Sequence, residues 1–222
     1  MIISYGSTSS FMSTTSSNFS GLRRQPRQAR SRARVQRILE VAEEMFVSDG
    51  YDVTTTNAIA AAADVPIGSL YQFFPDKSVI VQALAAQYME KLHQRFETLH
   101  ESEAAEISLP AYVERVIDMT NQFFNDHPGY HSIFMQVQNR IPELEAIEEA
   151  ADNQLIQEIA TLLSSRYDNV EQINYKTISF VIVKAIGTLL WLALSQEQPF
   201  RNELLTETKR MTLSYLQSYF PT

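Results

Sequence analysis

Apolar residues return at intervals of three and four along most of the chain. Between Arg30 and Ser48, the residues Val35, Ile38, Leu39, Ala42, Met45 and Phe46 fall on one side of a helix. Asp49-Gly50 ends that run, and Gly50 suits the left-handed residue that closes a helix. The stretch "YDVTTTNAIAAAADV" offers Thr54 or Thr55 as an N-cap and a short helix over 57–62. Asp64-Val65-Pro66 predicts a turn, with Pro66 at or just before the first position of a third short helix over about 67–74. Pro75-Asp76-Lys77 then leads into a long helix over about 77–101. Helical segments follow at 110–127, 128–138, 142–167, 173–195 and 202–220, the one at 142 with the acidic start that a helix dipole favours. There is no alternating strand pattern longer than a few residues, no Asn-Gly hairpin signal and no internal repeat. The pattern predicts an all-α fold of about nine helices.

Composition changes this picture little, but charge changes it more. The 222 residues are 45% hydrophobic and 20% charged, an ordinary globular balance. With no cysteine, disulfides and thiolate metal sites are excluded. The most apolar stretch, "TISFVIVKAIGTLLWLALS", is interrupted by Lys184 and reads as a buried helix rather than a membrane span. The net charge of −8 is unevenly spread. Residues 1–37 hold seven arginines and no acid, whereas the other 185 residues hold 11 basic and 26 acidic groups. A basic end on an acidic body points to a polyanionic partner. Residues 1–20, rich in Ser and Thr, are expected to be disordered. Their composition also fits a transit peptide, although the arginines run straight into a helical pattern.

A helix, a short helix, a tight turn and a second short helix form a helix-turn-helix, whose last helix enters the major groove of DNA. This accounts for the residue choice in "ADVPIGSLYQFFPDK". Gly68 and Ser69 are small enough to let the backbone approach the groove. Pro66 and Ile67 suit thymine methyl groups, and Ser69 or Gln72 suits hydrogen bonds to bases. Tyr71 and Lys77 suit phosphates, by hydroxyl and by charge. Leu70 and Phe74 fall on the inner face, and Phe73 fits either side. The recognition helix carries no Arg or Lys, so methyl and backbone contacts are expected to outweigh bidentate reading of guanine. Arg23 to Arg34 either supply phosphate or minor-groove contacts or form a solvated basic tail.

The stretch "RILEVAEEMFVSDGYDVTTTNAIAAAADVPIGSLYQFFPDKSVIVQAL", residues 37–84, resembles the N-terminal DNA-binding domain of the TetR (tetracycline-repressor-like) family. The resemblance rests on the combined pattern A..MF...GY..TT...IA..A.V..GSLY.FF..K as it stands here. It implies a homodimer whose two small domains read a pseudo-palindromic operator in double-stranded DNA. It further implies a divergent C-terminal body that binds a small-molecule effector and dimerises. Thr55 and Thr56 would meet the DNA backbone and Asn57 would sit near the groove. Pro66, Ile67, Gly68 and Ser69 would face bases, with Tyr71 and Lys77 on phosphates. Asp64 departs from the family, which usually has Gly there, but Asp tolerates a left-handed backbone better than most residues. The division expected is a tail over 1–29, a helix-turn-helix domain over 30–77 and a helical body over 78–222.

In the body, Ile178, Val181, Ile182, Ala185, Leu189, Leu192 and Ala193 cover more than one helix face. The resemblance implies that part of this surface, on the last two helices, meets a second copy, the alternative being that all of it packs within one subunit. Candidates for a pocket taking a small apolar ligand are Tyr88, Phe96, Met119, Phe123, Phe124, Tyr130, Phe134, Met135 and Trp191. Aromatics at helical spacing are also what an ordinary core requires. His127 and His131 have chelating spacing, but Pro128-Gly129 spoils the helix between them, and no metal or cofactor is expected. There is no Gly-rich phosphate loop, GxSxG or paired-carboxylate signature, and the acidic run "PELEAIEEAAD" reads as a solvated helix face. The expected function is a cytoplasmic DNA-binding transcriptional repressor released by a ligand. An activator or a partner-controlled regulator is the alternative, and an all-α binding protein or enzyme with a degenerate helix-turn-helix is the reading from another class.

Overall fold

The computed structural model describes residues 22, 29–102, 107–137, 140–167 and 173–220. Among them run nine α-helices and no strand. They are α1 (Ala29–Ser48), α2 (Thr56–Ala62), α3 (Ile67–Tyr71), α4 (Lys77–Ser102), α5 (Leu109–Asp126), α6 (Pro128–Val137), α7 (Glu143–Arg166), α8 (Tyr175–Leu194) and α9 (Phe200–Gln217). The expectation for residues 1–20, and for Arg23, Arg24 and Arg27, lies outside the described residues. Arg30, Arg32, Arg34 and Arg37 stand on α1.

Local chemistry explains the element ends in the small domain. Gly50 takes φ +94° after α1, the left-handed position expected of it. Thr55 is the N-cap of α2, its Oγ1 accepting from the Ala58 N–H at 3.1 Å. Thr54 is instead buried, donating to the Gly50 carbonyl at 2.8 Å. Asp64 closes α2 at φ +55°, with its N–H on the Ala61 carbonyl (3.2 Å) and the Val65 N–H on the Ala60 carbonyl (3.0 Å). That pair of bonds is a Schellman closure built on aspartate in place of glycine. Helix α3 is shorter than its pattern suggested, because the Leu70 carbonyl takes the N–H groups of both Phe73 and Phe74 and winds the chain out of the helix. Asp76 caps α4, its Oδ1 accepting from the N–H groups of Ser78 (2.8 Å) and Val79 (3.2 Å).

One apolar core runs from Val35, Ile38 and Phe46 of α1, through Leu70, Phe73 and Phe74, to Leu216 and Phe220 at the far end. Phe73 therefore joins Leu70 and Phe74 on the inside. Helix α4 belongs to both halves: it starts beside α3, packs on α1, and runs along α7. Helix α8 is the one described helix long and apolar enough to cross a membrane. It packs between α7 and α9, buries Ile178, Ile182, Ile186 and Leu190, and pairs Lys184 with Asp152 of α7 at 2.5 Å. The seven apolar residues expected at a subunit interface are divided by this packing. Ile178, Ile182 and Ala193 are buried within the chain, while Val181 and Leu192 are exposed.

Candidate nucleic-acid interface and effector cavity

Helices α2 and α3 cross with their outer residues on one surface. Thr55, Asn57, Pro66, Ile67, Gly68, Tyr71 and Gln72 are exposed, and Thr56 and Ser69 are half-buried. The Tyr71 hydroxyl lies 3.1 Å from Thr56 Oγ1, which ties the end of α3 to the start of α2. Beneath this face, Leu70 and Phe74 are fully buried, so the position of the outer residues is fixed from below. Gly68 is not needed by the fold. Its φ is outside the left-handed region, and a Cβ there would meet no atom within 4 Å. The bare backbone leaves room for something outside the chain, as close approach to a groove requires.

Lys77 is the correction on this face. Rather than reaching outward to a phosphate, its ammonium donates to the carbonyls of Tyr51 (2.5 Å), Asp52 (3.2 Å) and Thr54 (3.1 Å) and lies 4.2 Å from the Tyr51 ring centroid. Three carbonyls satisfy its three donors, so it locks α4 to the α1–α2 loop.

A second joint, which the sequence did not suggest, links the small domain to the body. Gln136 of α6 accepts from the Tyr51 N–H (2.8 Å), and Arg140 holds Asp52 through two bonds of 2.7 and 3.2 Å. The Arg140 guanidinium keeps the Asp52 carboxyl below the ordinary carboxylate range. Tyr88 of α4 donates to Glu43 of α1, and its ring meets Tyr130 edge-on at 5.2 Å. Burial is the main cause that raises the Tyr88 phenol, with the bond to Glu43 next.

The body encloses a cavity of about 580 Å³ bounded by α4, α5, α6, α7 and α8. Five of the sequence candidates line it: Phe96, Phe124, Tyr130, Phe134 and Trp191. Four do not, two of them for reasons of helix phase. On α5 the lining stripe is Val113, Val116, Thr120 and Phe124, so Met119 and Phe123 turn elsewhere. Met119 edges a shallow outer groove with Lys91 and Arg95, and Phe123 stacks on His127 at 4.4 Å. Tyr88 is committed to Glu43, and Met135 is exposed. His127 bonds the Phe123 carbonyl through Nδ1, while His131 packs against Trp191.

The acidic run of α7 needs a larger correction. Glu143 and Glu149 are solvated as expected, and so is Glu145, although it edges the cavity, while the half-buried Glu148 and Asp152 line it along with Lys184 of α8. Their spacing of three and four places them on the same stripe as Leu155 and Ile159. That shared periodicity was the signal available in the sequence. Tyr130 donates to Glu148 at 3.3 Å, and burial raises the Glu148 carboxyl above its ordinary range.

Comparison with known proteins agrees with this geometry. The family described as "Bacterial regulatory proteins, tetR family" matches residues 38–84, the helix-turn-helix and the start of α4. "Tetracyclin repressor-like, C-terminal domain" matches residues 108–216, from α5 to near the end of α9. The chain belongs to the TetR family of transcriptional regulators. Among curated relatives, the uncharacterized HTH-type transcriptional regulator YhgD of Bacillus subtilis is 30% identical over 101 residues, 45% of this chain and 50% of that protein. The HTH-type transcriptional repressor KstR of Rhodococcus jostii is 36% identical over 63 residues, 28% of this chain and 29% of that protein. The chain thus matches half of the first relative's length and less of the second's. A TetR-family transcriptional regulator from Streptomyces coelicolor has the same fold, with a TM-score of 0.59, 24% identity, and coverage of 84% of this chain and 99% of the other. TetR regulators bind operator DNA and typically dimerise.

Proposed function

We propose that the protein is a ligand-responsive transcriptional repressor rather than an enzyme, acting on DNA in the cytoplasm. Its homodimer binds a pseudo-palindromic operator when the body is empty and leaves it when a small molecule enters the cavity. The observation that carries this reading is the double membership of α4. At one end Lys77 fastens it to the loop before α2, and further along Met89, Leu92 and Phe96 form a wall of the cavity. A ligand that displaces this wall moves the end that carries the recognition helix. The coupling is linkage, so an effector that favours the displaced geometry lowers operator affinity by the same factor by which DNA lowers effector affinity.

Thr55, Thr56 and Asn57 take the DNA backbone and the groove edge in this reading. Pro66, Ile67, Gly68, Ser69 and Gln72 face bases, and Tyr71 takes a phosphate. The exposed Arg30 and Arg37 of α1 add charge to the same domain. Dimerisation uses α8 and α9, where Phe180 (49% exposed), Val181, Leu192 (51%), Met211 and Tyr219 leave apolar surface uncovered.

The test is binding of the purified protein to DNA from just upstream of its own gene and to unrelated DNA at two salt concentrations. A preference that survives the higher salt is expected from base reading. Equal binding that collapses with salt would mean arginines on phosphates alone, and would sink the operator assignment.

A further inference from the structure

The cavity is apolar over most of its wall and charged at one place. Glu145, Glu148 and Asp152 of α7 face it against a single cation, Lys184, and Lys184 is held by Asp152 at 2.5 Å. Glu148 is left with the Tyr130 hydroxyl at 3.3 Å and, among the described residues, no lysine or arginine paired to it. Lys184 acts on Glu148 only through space, its ammonium being held by Asp152, so the half-buried Glu148 carboxylate is incompletely compensated and an organic cation would complete the pairing.

The wall beside Glu148 is aromatic. The Tyr130 ring lies 4.6 Å from Phe134, 5.6 Å from Phe124 and 5.6 Å, edge-on, from Trp191. One tyrosine therefore presents its hydroxyl to the carboxylate and its ring to the aromatic cluster. A carboxylate set beside an aromatic cluster suits an ammonium group. An anionic ligand would instead meet three carboxylates.

We propose that the effector is a lipophilic organic cation, its apolar body in the cavity and its charged group between Glu148 and the Tyr130–Trp191 cluster. This rests on reading the cavity as the effector site, and it replaces the purely apolar ligand expected from sequence.

Trp191 is the chain's one tryptophan and lines the cavity, so its emission reports occupancy directly. Three probes are titrated into the full-length protein below their micelle concentrations: decyltrimethylammonium, decan-1-ol and decanoate. The cation is expected to bind at least ten times more tightly than the alcohol, and decanoate most weakly. Glu148→Gln is expected to reduce the cation's advantage to under threefold, while the alcohol's Kd stays within twofold and the melting temperature does not fall. The assignment is overturned if the alcohol or decanoate matches the cation, if Glu148→Gln keeps the preference, or if no probe perturbs Trp191. Operator binding is measured alongside. If the cation binds as expected but leaves operator affinity unchanged, the site's charge preference stands and the ligand-responsive reading falls. If the alcohol releases the operator and the cation does not, the repressor reading stands and this one falls.

Discussion

The small N-terminal domain and the body place their charged groups by different rules. In the domain, the residues that fix shape have partners a few positions away. Thr55 caps Ala58, Asp64 closes on Ala61, and Asp76 caps Ser78 and Val79. In the body the decisive partners are remote: Tyr130 with Glu148, Asp152 with Lys184, and, across the joint, Arg140 with Asp52. A charged residue with only local neighbours can be placed from its sequence position. One whose partner lies on another helix is placed by the packing of that helix. Lys77 shows that the difference concerns the partner and not the region. It lies in the readable domain, yet it turns inward because the carbonyls of Tyr51, Asp52 and Thr54 converge on it.

The sharpest test of the domain's outer face is Gly68→Leu. A Cβ there would meet no atom within 4 Å, so the melting temperature is expected to hold or rise. Operator affinity is expected to fall about a hundredfold, which is about 2.8 kcal/mol. Unchanged affinity in a gel-shift titration would remove α3 from the groove.

Lys77→Met separates a phosphate ligand from a structural lock. Loss of the charged hydrogen bonds is expected to cost about 2 kcal/mol in denaturant unfolding. A phosphate ligand would instead reduce the slope of log affinity against log salt by about 1 and leave stability alone.

Gly129→Ala tests the joint between the regions. An added Cβ would lie 2.6 Å from Glu43 Oε1 and 2.9 Å from the Tyr88 hydroxyl, so the Glu43–Tyr88 pair or α6 itself must shift. Overpacking of this kind costs about 1–3 kcal/mol. Operator binding is expected to weaken without any ligand, and full retention of it would show that the joint carries no signal.

Asp76→Ala removes the α4 cap and is expected to cost about 1 kcal/mol. Hydrogen bonding from Ser78 is the main cause that holds the Asp76 carboxyl below its ordinary range. A depressed carboxyl stabilises the fold above its unfolded-state pKa, and that stability is lost as pH falls through the depressed value. The gap between wild type and Asp76→Ala should therefore shrink in acid melts. Asp64→Gly has the smallest expected effect, a gain of about 0.5 kcal/mol as the left-handed residue is relieved. A loss of stability would show that the aspartate side chain contributes to the turn.

Helix number, the turn at Asp64 and the outer face of α2 and α3 were legible because each follows from spacing and capping within one turn of chain. The pocket was half legible. Aromatic content pointed to α4–α6 and Trp191, yet adjacent residues such as Phe123 and Phe124 are 100° apart on a helix, and composition does not set that phase. The acidic stripe of α7 was misread because Glu148 and Glu149 look alike in a charge count, although one faces Tyr130 and the other water.

The sequence by itself determined an all-α chain with a helix-turn-helix near its start, because hydrophobic period, caps and turn residues act between near neighbours. Only the tertiary structure decided that Lys77 is a lock, that Met119 and Phe123 leave the cavity, and that Glu148 and Asp152 enter it. Those outcomes depend on which faces of distant helices meet, and burial, not residue type, then sets what each charge can do.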